Sequence, residues 1–511
     1  MQPWDALTIL PEAILLVAGI FVLLVGAFLA ESSDLWSSTI AHLGLLGSAI
    51  AITYQWGRLG PAFGGAFLVD TFSIFFHLLF LLIAALVALG SSEYLTMQNL
   101  PAAEYYALLL FATIGMGIMA SANDLILIFI GLEISSLASY VLVGFRRDVS
   151  TSSEAALKYF LLGSFATAFL LYGIALIFGV TGSTRLSQIH LTLLGSPNGV
   201  SYGGINSGSL IPPVWAQSPT AMLGDQLPVS LVGLAIALML VGLAFKVSAA
   251  PFQVWTPDVY QGAPTPVTAF LSTGPKAAAF AAFLRIFMSG LESFSSSWSW
   301  LLWIAAALSM FVGNLAALLQ SNIKRMLAYS AIAHAGYMLV AFTAHSTDGS
   351  TAVIFYLAAY SLMNLGALMV VSHLGGPGEQ YVEIEDYAGL GYRSPGLAAA
   401  LSIFLLSLIG VPLTAGFFGK FYIFRAALRG DLVWLTVLAG LNSAIAAYYY
   451  LRVLVSMYMS APTREVPVER VRTALGLALA ISVTGTVLLG VFPHGVLSFA
   501  TRAARWLQPI P

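Results

Sequence analysis

The chain has 511 residues, 59% of them hydrophobic and only 8% charged, with a mean hydropathy of +0.90, whereas about a quarter of a soluble domain is charged. That composition excludes a water-soluble globular protein, and 20 Lys+Arg against 22 Asp+Glu, a net charge of -2, excludes the basic footprint that holds nucleic acid. With no cysteine the chain forms no disulfide, ligates no iron-sulfur cluster through thiolates and offers no thiol nucleophile, so electron transfer must occur in other chains.

The first apolar run, 9 to 29, has no basic residue before it and carries Glu12 near its start. It therefore reads as a retained span and not as a cleaved signal peptide. A helix needs about 20 apolar residues to cross the hydrocarbon core. Runs of that length predict an all-α polytopic membrane protein of about fourteen transmembrane helices. They fall at 9 to 29, 36 to 55, 70 to 90, 104 to 122, 124 to 145, 154 to 179, 229 to 259, 266 to 290, 298 to 319, 324 to 343, 351 to 373, 396 to 428, 433 to 459 and 472 to 495. The seventh and twelfth runs are too long, and each is interrupted. Pro251 and Pro257 break the seventh; Gly410, Pro412, Gly416 and Gly419 break the twelfth. A broken helix is tolerated in a membrane only where protein or a water-filled cavity satisfies its freed backbone, and paired breaks in two halves point to a transport path.

Sliding the chain against itself by 197 residues aligns Tyr140 with Tyr337, Leu142 with Leu339, Phe145 with Phe342, Tyr159 with Tyr356 and Ser164 with Ser361. With the paired breaks, this predicts two five-helix units. The expected organisation is three N-terminal helices in 1–100, a first repeat in 101–292, a second in 293–460, and a last helix and tail in 461–511. Thr184 to Pro228 and Gly375 to Pro395 read as loops. Basic loop residues are biased to one side: Arg146, Arg147, Lys324, Arg325, Arg393, Arg464, Arg470 and Arg472 against Arg58, Arg185, Arg429, Arg502 and Arg505. By the positive-inside rule both termini face away from the cytoplasm.

The charges inside the spans carry the functional signal. Of the five lysines, Lys158, Lys246, Lys276 and Lys420 fall within predicted spans, and only Lys324, at the very edge of one, reads as a loop residue. A lysine at a helix centre costs about 2.5 to 3.5 kcal/mol on insertion scales, so its retention there suggests a purpose. Unlike arginine, a buried lysine can release and regain a proton. Glu133 is the one acid in the middle of a span, and a lysine on a neighbouring helix is its expected partner. A static ion pair fixing helix register is the plainer alternative for that pair, and Lys158, four residues after Glu154, can instead snorkel to the interface. His334 suits a proton relay between the halves, or a hydrogen-bonded core position. Arg285, Arg425 and Arg452 read as snorkelling residues near span ends, and Tyr448 to Tyr450 as packing and interface residues. The seven histidines show no metal-ligand spacing, and no phosphate-binding or dinucleotide-binding glycine motif is present.

Four stretches carry a family resemblance: Gly131 to Leu137 around Glu133; Phe245-Lys246 through Trp255-Thr-Pro257-Asp258 to Pro266; Asn322 to Tyr337 around His334; and Pro412 to Lys420. Over nearly its whole length the chain resembles the antiporter-like membrane subunits of proton-pumping NADH-quinone oxidoreductase (complex I), the subunit N family in particular. That resemblance implies fourteen helices with inverted five-helix repeats and broken helices 7 and 12. It implies that Glu133 pairs with Lys246, and that Lys276 and Lys420 are the eighth- and twelfth-helix lysines of a proton path. It further implies no cofactor in this chain, with NADH, flavin, iron-sulfur clusters and quinone handled by other subunits. The implied partners are other membrane subunits of complex I and the lipid bilayer, not nucleic acid, and the implied location is the bacterial inner membrane with periplasmic termini. One departure is Gln253, where relatives often carry histidine; glutamine cannot titrate. The rival readings are a subunit of a multi-chain sodium/proton antiporter, a membrane-arm subunit of a hydrogenase, and a purely structural scaffold.

Overall fold

The computed structural model describes residues 3–28, 33–194, 227–462, 466–467 and 469–507; Arg464 and residues 195–226 of the long loop lie outside them. The elements in chain order are α1 (Pro3–Thr8), α2 (Leu10–Phe28), α3 (Ser33–Gln55), the antiparallel strands β1 (Gly60–Ala62) and β2 (Phe67–Val69), α4 (Thr71–Met97), α5 (Ala102–Ser121), α6 (Leu125–Val143) and α7 (Ser150–Thr181). There follow α8 (Leu186–Leu194), α9 (Leu227–Val247), α10 (Trp255–Gly262), α11 (Thr265–Arg285), α12 (Ser295–Leu318), α13 (Ile323–Thr343) and α14 (Thr347–Leu374). The last are α15 (Leu390–Arg393), α16 (Pro395–Ile409), α17 (Ala415–Arg429), α18 (Val433–Met459), α19 (Thr473–Val491) and α20 (His494–Arg505). Among the described residues, 13 helices are long and apolar enough to cross a membrane. The fold is an all-α multi-pass membrane bundle.

The ends of these helices follow their sequence. Asp70 caps α4 in a reciprocal capping box with Ser73; Asp124 caps α6, Asn322 caps α13 and Ser346 caps α14. The seventh run is two helices, α9 and α10, separated by 248–254, and the twelfth is α16 and α17, separated by 410–414. At the first break the Trp255 indole donates to Phe245 O at 3.1 Å and Ser309 Oγ accepts from Ala250 N at 2.8 Å. At the second, Gly410 ends α16 in a left-handed conformation (φ 96°), and Ser407 Oγ accepts from Gly416 N at 3.0 Å. Protein groups thus satisfy backbone that lipid cannot.

One bridge is built twice. Asp124 pairs with Arg185 and Asn322 with Glu383, each partner 198 residues after its counterpart. The flanking bonds match too: Leu125 N to Thr184 O and Ile323 N to Val382 O; Leu186 N to Asn123 O and Ile384 N to Ser321 O. In the first copy α5 and α6 meet where a Cβ on Gly115 would lie 2.5 Å from Gly131 O and from Ser135 N. In the second, α12 and α13 meet where one on Gly313 would lie 2.7 Å from Tyr329 O and 2.6 Å from Ala333 N. The offset of the bridge is 198, one more than the 197 that aligns Tyr140 with Tyr337 and the starts of α7 and α14.

The helices nearest the centre, α11, α13 and α14, are each 94% buried over their apolar windows. Arg285, expected to snorkel, is instead 2% exposed at the end of α11. Its guanidinium forms a bidentate pair with Asp70 at 2.8 and 2.9 Å and donates to Ala120 O at 2.9 Å. A fixed bidentate partner, absent from any local sequence pattern, holds it inside. Removing one member of such a pair costs about 3–5 kcal/mol because the other stays buried and uncompensated. Asp70→Ala is expected to lower the thermal midpoint and yield of the purified protein, and Asp70→Leu with Arg285→Leu to recover much of the loss; equal loss in both variants contradicts this reading.

Candidate proton path

Lys246 lies in the last turn of α9, where unpaired carbonyl groups favour a cation. Its Nζ donates to Ser136 Oγ at 2.7 Å and to Tyr140 Oη at 3.4 Å, and faces the Tyr140 ring 5.3 Å from its centroid. Ser136 can accept because its own hydroxyl proton goes to Leu132 O. Glu133 is on the same helix one turn earlier, yet it makes no ion pair with Lys246 among the described residues. Its Oε1 is buried without a hydrogen-bond partner, and it acts on the ammonium only through space. Ser136 takes the place expected for the carboxylate.

From Lys246 a small cavity between α6, α9 and α11 is lined by Ser135, Ser136, Ser139, Leu271 and Pro275. Pro275 has no N–H for Leu271 O, which leaves a polar backbone group at that cavity. Lys276, the next residue, is 1% exposed and donates to Ala331 O at 2.8 Å. Its ammonium is 5.9 Å from the Tyr360 ring. On α13, His334 bonds Tyr356 Oη through Nδ1 at 2.5 Å and Tyr450 Oη through Nε2 at 3.1 Å, and Tyr450 also contacts Ser330 Oγ. Beyond the histidine, Tyr337 faces Lys420, whose Nζ is 4.9 Å from its ring. Lys420 donates to Ile409 O and to Ser443 Oγ, both at 2.8 Å. The carbonyl it uses is the open end of the half-helix α16, so each break carries a lysine on a half-helix C-terminus. The structure thus gathers Lys276, His334 and Lys420 around α13, with Lys246 on the cavity that Pro275 also lines. Hydroxyl and imidazole groups can both donate and accept, whereas a lysine ammonium only donates and accepts a proton only after it has given one up, so such a set can pass protons only if its lysines change protonation state.

Lys158 is not in that set. Its side chain is 41% exposed and pairs with Glu154 at 2.7 Å and with Asp258 at 2.8 Å; Asp258 also pairs with Arg325 at 2.8 Å. Lys158, Glu154 and Asp258, with Arg146, Lys324 and Glu379, line an open pocket of about 290 Å³. Lys324 corrects its sequence reading: it is not a loop residue but lies in the first turn of α13, 1% exposed. It donates to Ala263 O at 2.7 Å and pairs with Glu379 at 2.8 Å. Glu379, in a turn of the loop after α14, also accepts from Tyr94 Oη, Thr265 N and Thr265 Oγ and lies 3.3 Å from Arg146. Tyr449 and Tyr450, read as packing, are polar members of the interior, Tyr449 donating to Asn314 Oδ1. A cue was available: Asn442, one side of α18 and seven residues earlier, is itself buried in mid-span. Arg452, read as snorkelling, caps α12 by donating to Leu318 O and Gln320 O. Gln253 leaves a buried Oε1 without a partner. Among the described residues no cluster of His, Asp or Glu is arranged to hold a metal ion.

The family described as NADH:quinone oxidoreductase/Mrp antiporter, TM, matches residues 122–446. NADH-quinone oxidoreductase subunit N 1 of Solibacter usitatus is 52% identical over 511 residues, 99% of either chain. The chain belongs to the NADH-quinone oxidoreductase subunit N family. Subunit N of Trichlorobacter lovleyi is 44% identical over 497 residues, covering 97% of this chain and 96% of that one. Among solved structures, a chain of respiratory complex I from Thermus thermophilus with bound aureothin is 37% identical. It has a TM-score of 0.76 over 96% of this chain and 98% of that one. A chain of the Mrp complex from Dietzia sp. has a TM-score of 0.82 over 99% and 98%, and at 21% identity it shares the fold.

Glu379 gives a pH prediction outside the spans. Burial alone raises its carboxyl, but the Lys324 ammonium, the bonds from Lys324 and Thr265, and Arg146 outweigh that and hold it below the usual carboxylate range. A lowered native pKa stabilises fully above the ordinary carboxylate value, and that stabilisation is lost as pH falls through the native value. Glu379→Gln is expected to lower the thermal midpoint at neutral pH and to flatten its decline on acidification; a variant curve parallel to the wild type at every pH contradicts the assignment.

Proposed function

We propose that this chain is the membrane subunit that carries protons in an NADH-quinone oxidoreductase of the bacterial inner membrane, with flavin, iron-sulfur clusters and quinone held by its neighbours. The observation that carries this reading is the set of Lys246, Lys276, His334 and Lys420 within an apolar bundle, with partners at Ser136, Ala331, Tyr356, Tyr450, Tyr337 and Ser443. Each of the three lysines is an amine that can release and regain a proton, and each has a hydroxyl or an aromatic ring beside it. In this reading Glu133 sets the charge state of Lys246 by its field, so an electrostatic change beside Glu133 starts or stops transfer. Lys158, with Glu154 and Asp258, is the solvent-facing supply at the open pocket.

The duplicated bridge supports an inverted repeat: five spans lie between its copies, so the copies face opposite sides of the membrane. The basic loop bias supports periplasmic termini.

The likeness to the Mrp complex fold keeps one second reading, sodium/proton exchange. Both are separated in proteoliposomes containing the assembled complex. NADH-driven acidification is expected to persist unchanged without sodium, and to fall by about tenfold or more in Lys246→Ala while the complex still assembles, as for loss of a positioned proton-transfer group. Intact pumping in Lys246→Ala contradicts the proton path, and pumping that requires sodium favours the exchanger.

A further inference from the structure

Outside the lysine set, the three N-terminal helices hold a further buried pair of titratable groups. Glu12, in the first turn of α2, and His77, on α4, are 7% and 8% exposed. Glu12 Oε1 lies 2.7 Å from His77 Nε2. His77 is six residues into α4, about 9 Å below its start at the rise of a helix.

The proton count of the pair follows from its geometry. Ser73 O lies 2.8 Å from His77 Nδ1, and a carbonyl only accepts, so Nδ1 carries hydrogen. The short contact on the other side then needs one more proton between Nε2 and Oε1. With it the pair is imidazolium and carboxylate, or imidazole and carboxylic acid, and has no net charge either way. Without it a nitrogen lone pair faces a carboxylate oxygen at hydrogen-bond distance, and a net negative charge is left buried.

A second, independent feature marks the place as a site. Glu12 Oε2 is buried with no partner, and so is Ser48 Oγ on α3, a residue 1% exposed. Both residues, with Thr113 of α5, line a cavity of about 10 Å³, near the lower bound for one water. On α5 the neighbouring position is Gly117, where a Cβ would lie 2.8 Å from His77 Nε2 and 3.0 Å from Glu12 Oε1. The helix has no side chain where the shared proton sits. The other charge acting on His77 is Asp70 on its own helix, already paired with Arg285 of α11, while α3 and α5 offer only hydroxyls at this level.

We propose that Glu12 and His77 form a proton-binding site in the N-terminal helices, holding one exchangeable proton together with one water bonded to Glu12 Oε2 and Ser48 Oγ. The water is the exchange route: when the proton is on Glu12 as the carboxylic acid, rotation of the carboxyl group swaps its two oxygens and turns the O–H to the water, which accepts that proton and returns one of its own hydrogens to the carboxylate. This site is independent of the lysine path.

Infrared spectra of the purified assembled complex in H₂O and D₂O test it, with Glu12→Gln, His77→Gln and Ser48→Ala compared with wild type. Glu12→Gln keeps the side chain's shape, and native gels establish that each complex assembles. The expected result is a carboxyl or carboxylate band that shifts in D₂O and responds to pH, is missing in Glu12→Gln, moves in His77→Gln, and exchanges more slowly in Ser48→Ala. The proposal is overturned if no pH-responsive band is lost in Glu12→Gln, or if that band is indifferent to His77→Gln.

Discussion

Hydrocarbon leaves no polar group unpaired without cost, and the rest of this structure depends on that constraint. Two helices stop inside the bundle, and each stop frees backbone that must find a partner. Trp255, Ser309 and Ser407 meet part of that demand, and Lys420 meets another part by donating to Ile409 O. The same constraint explains why the lysines lie where they do. A half-helix C-terminus offers the negative end of a dipole, and an ammonium there is stabilised without a carboxylate. Lys420 is such a cation, held by neutral oxygen atoms, so it can lose its proton without stranding a buried negative charge. Lys324 and Arg285, which face carboxylates directly, are fixed instead. The difference between neutral and charged partners sorts the buried bases into those suited to move protons and those that hold helices together.

The holding pairs sit around this set. Asp70 and Arg285 tie the start of α4 to the end of α11, and Glu379 joins the loop after α14 to α4, α11 and α13. Close backbone approach at Gly115 and Gly131 sets α6 against α5, and with it the height at which Ser136 and Glu133 stand relative to Lys246. The placement of these groups is thus fixed by contacts distant from them.

Much of this was legible in the sequence. Span positions followed from apolar run length, and Pro251, Pro257, Gly410 and Pro412 marked interruptions that the structure places at 248–254 and 410–414. Lys246, Lys276 and Lys420 stood out because a charge is rare in an apolar run. What the sequence concealed were partners distant along the chain. Nothing local to Arg285 names Asp70, and nothing in the acidic loop singles out Glu379 from Glu383 or Glu385. Lys324 read as a loop residue because hydropathy places a span end only to within a turn, while a single turn decides burial. That Glu133 pairs with Lys246 came from the family resemblance; in the structure Ser136, one turn further along α6, makes the bond. Tyr449 and Tyr450 resembled any aromatic pair until the fold turned their hydroxyls inward.

The central claim is that the buried lysines act by releasing protons and not by carrying fixed charge. Arginine keeps the charge and cannot release the proton, so Lys420→Arg in the assembled complex isolates that difference. Protons delivered per NADH oxidised, measured in sealed proteoliposomes with assembly verified, are predicted to fall in Lys420→Arg as far as in Lys420→Ala. A wild-type ratio in the arginine variant would contradict the claim and leave Lys420 a structural cation.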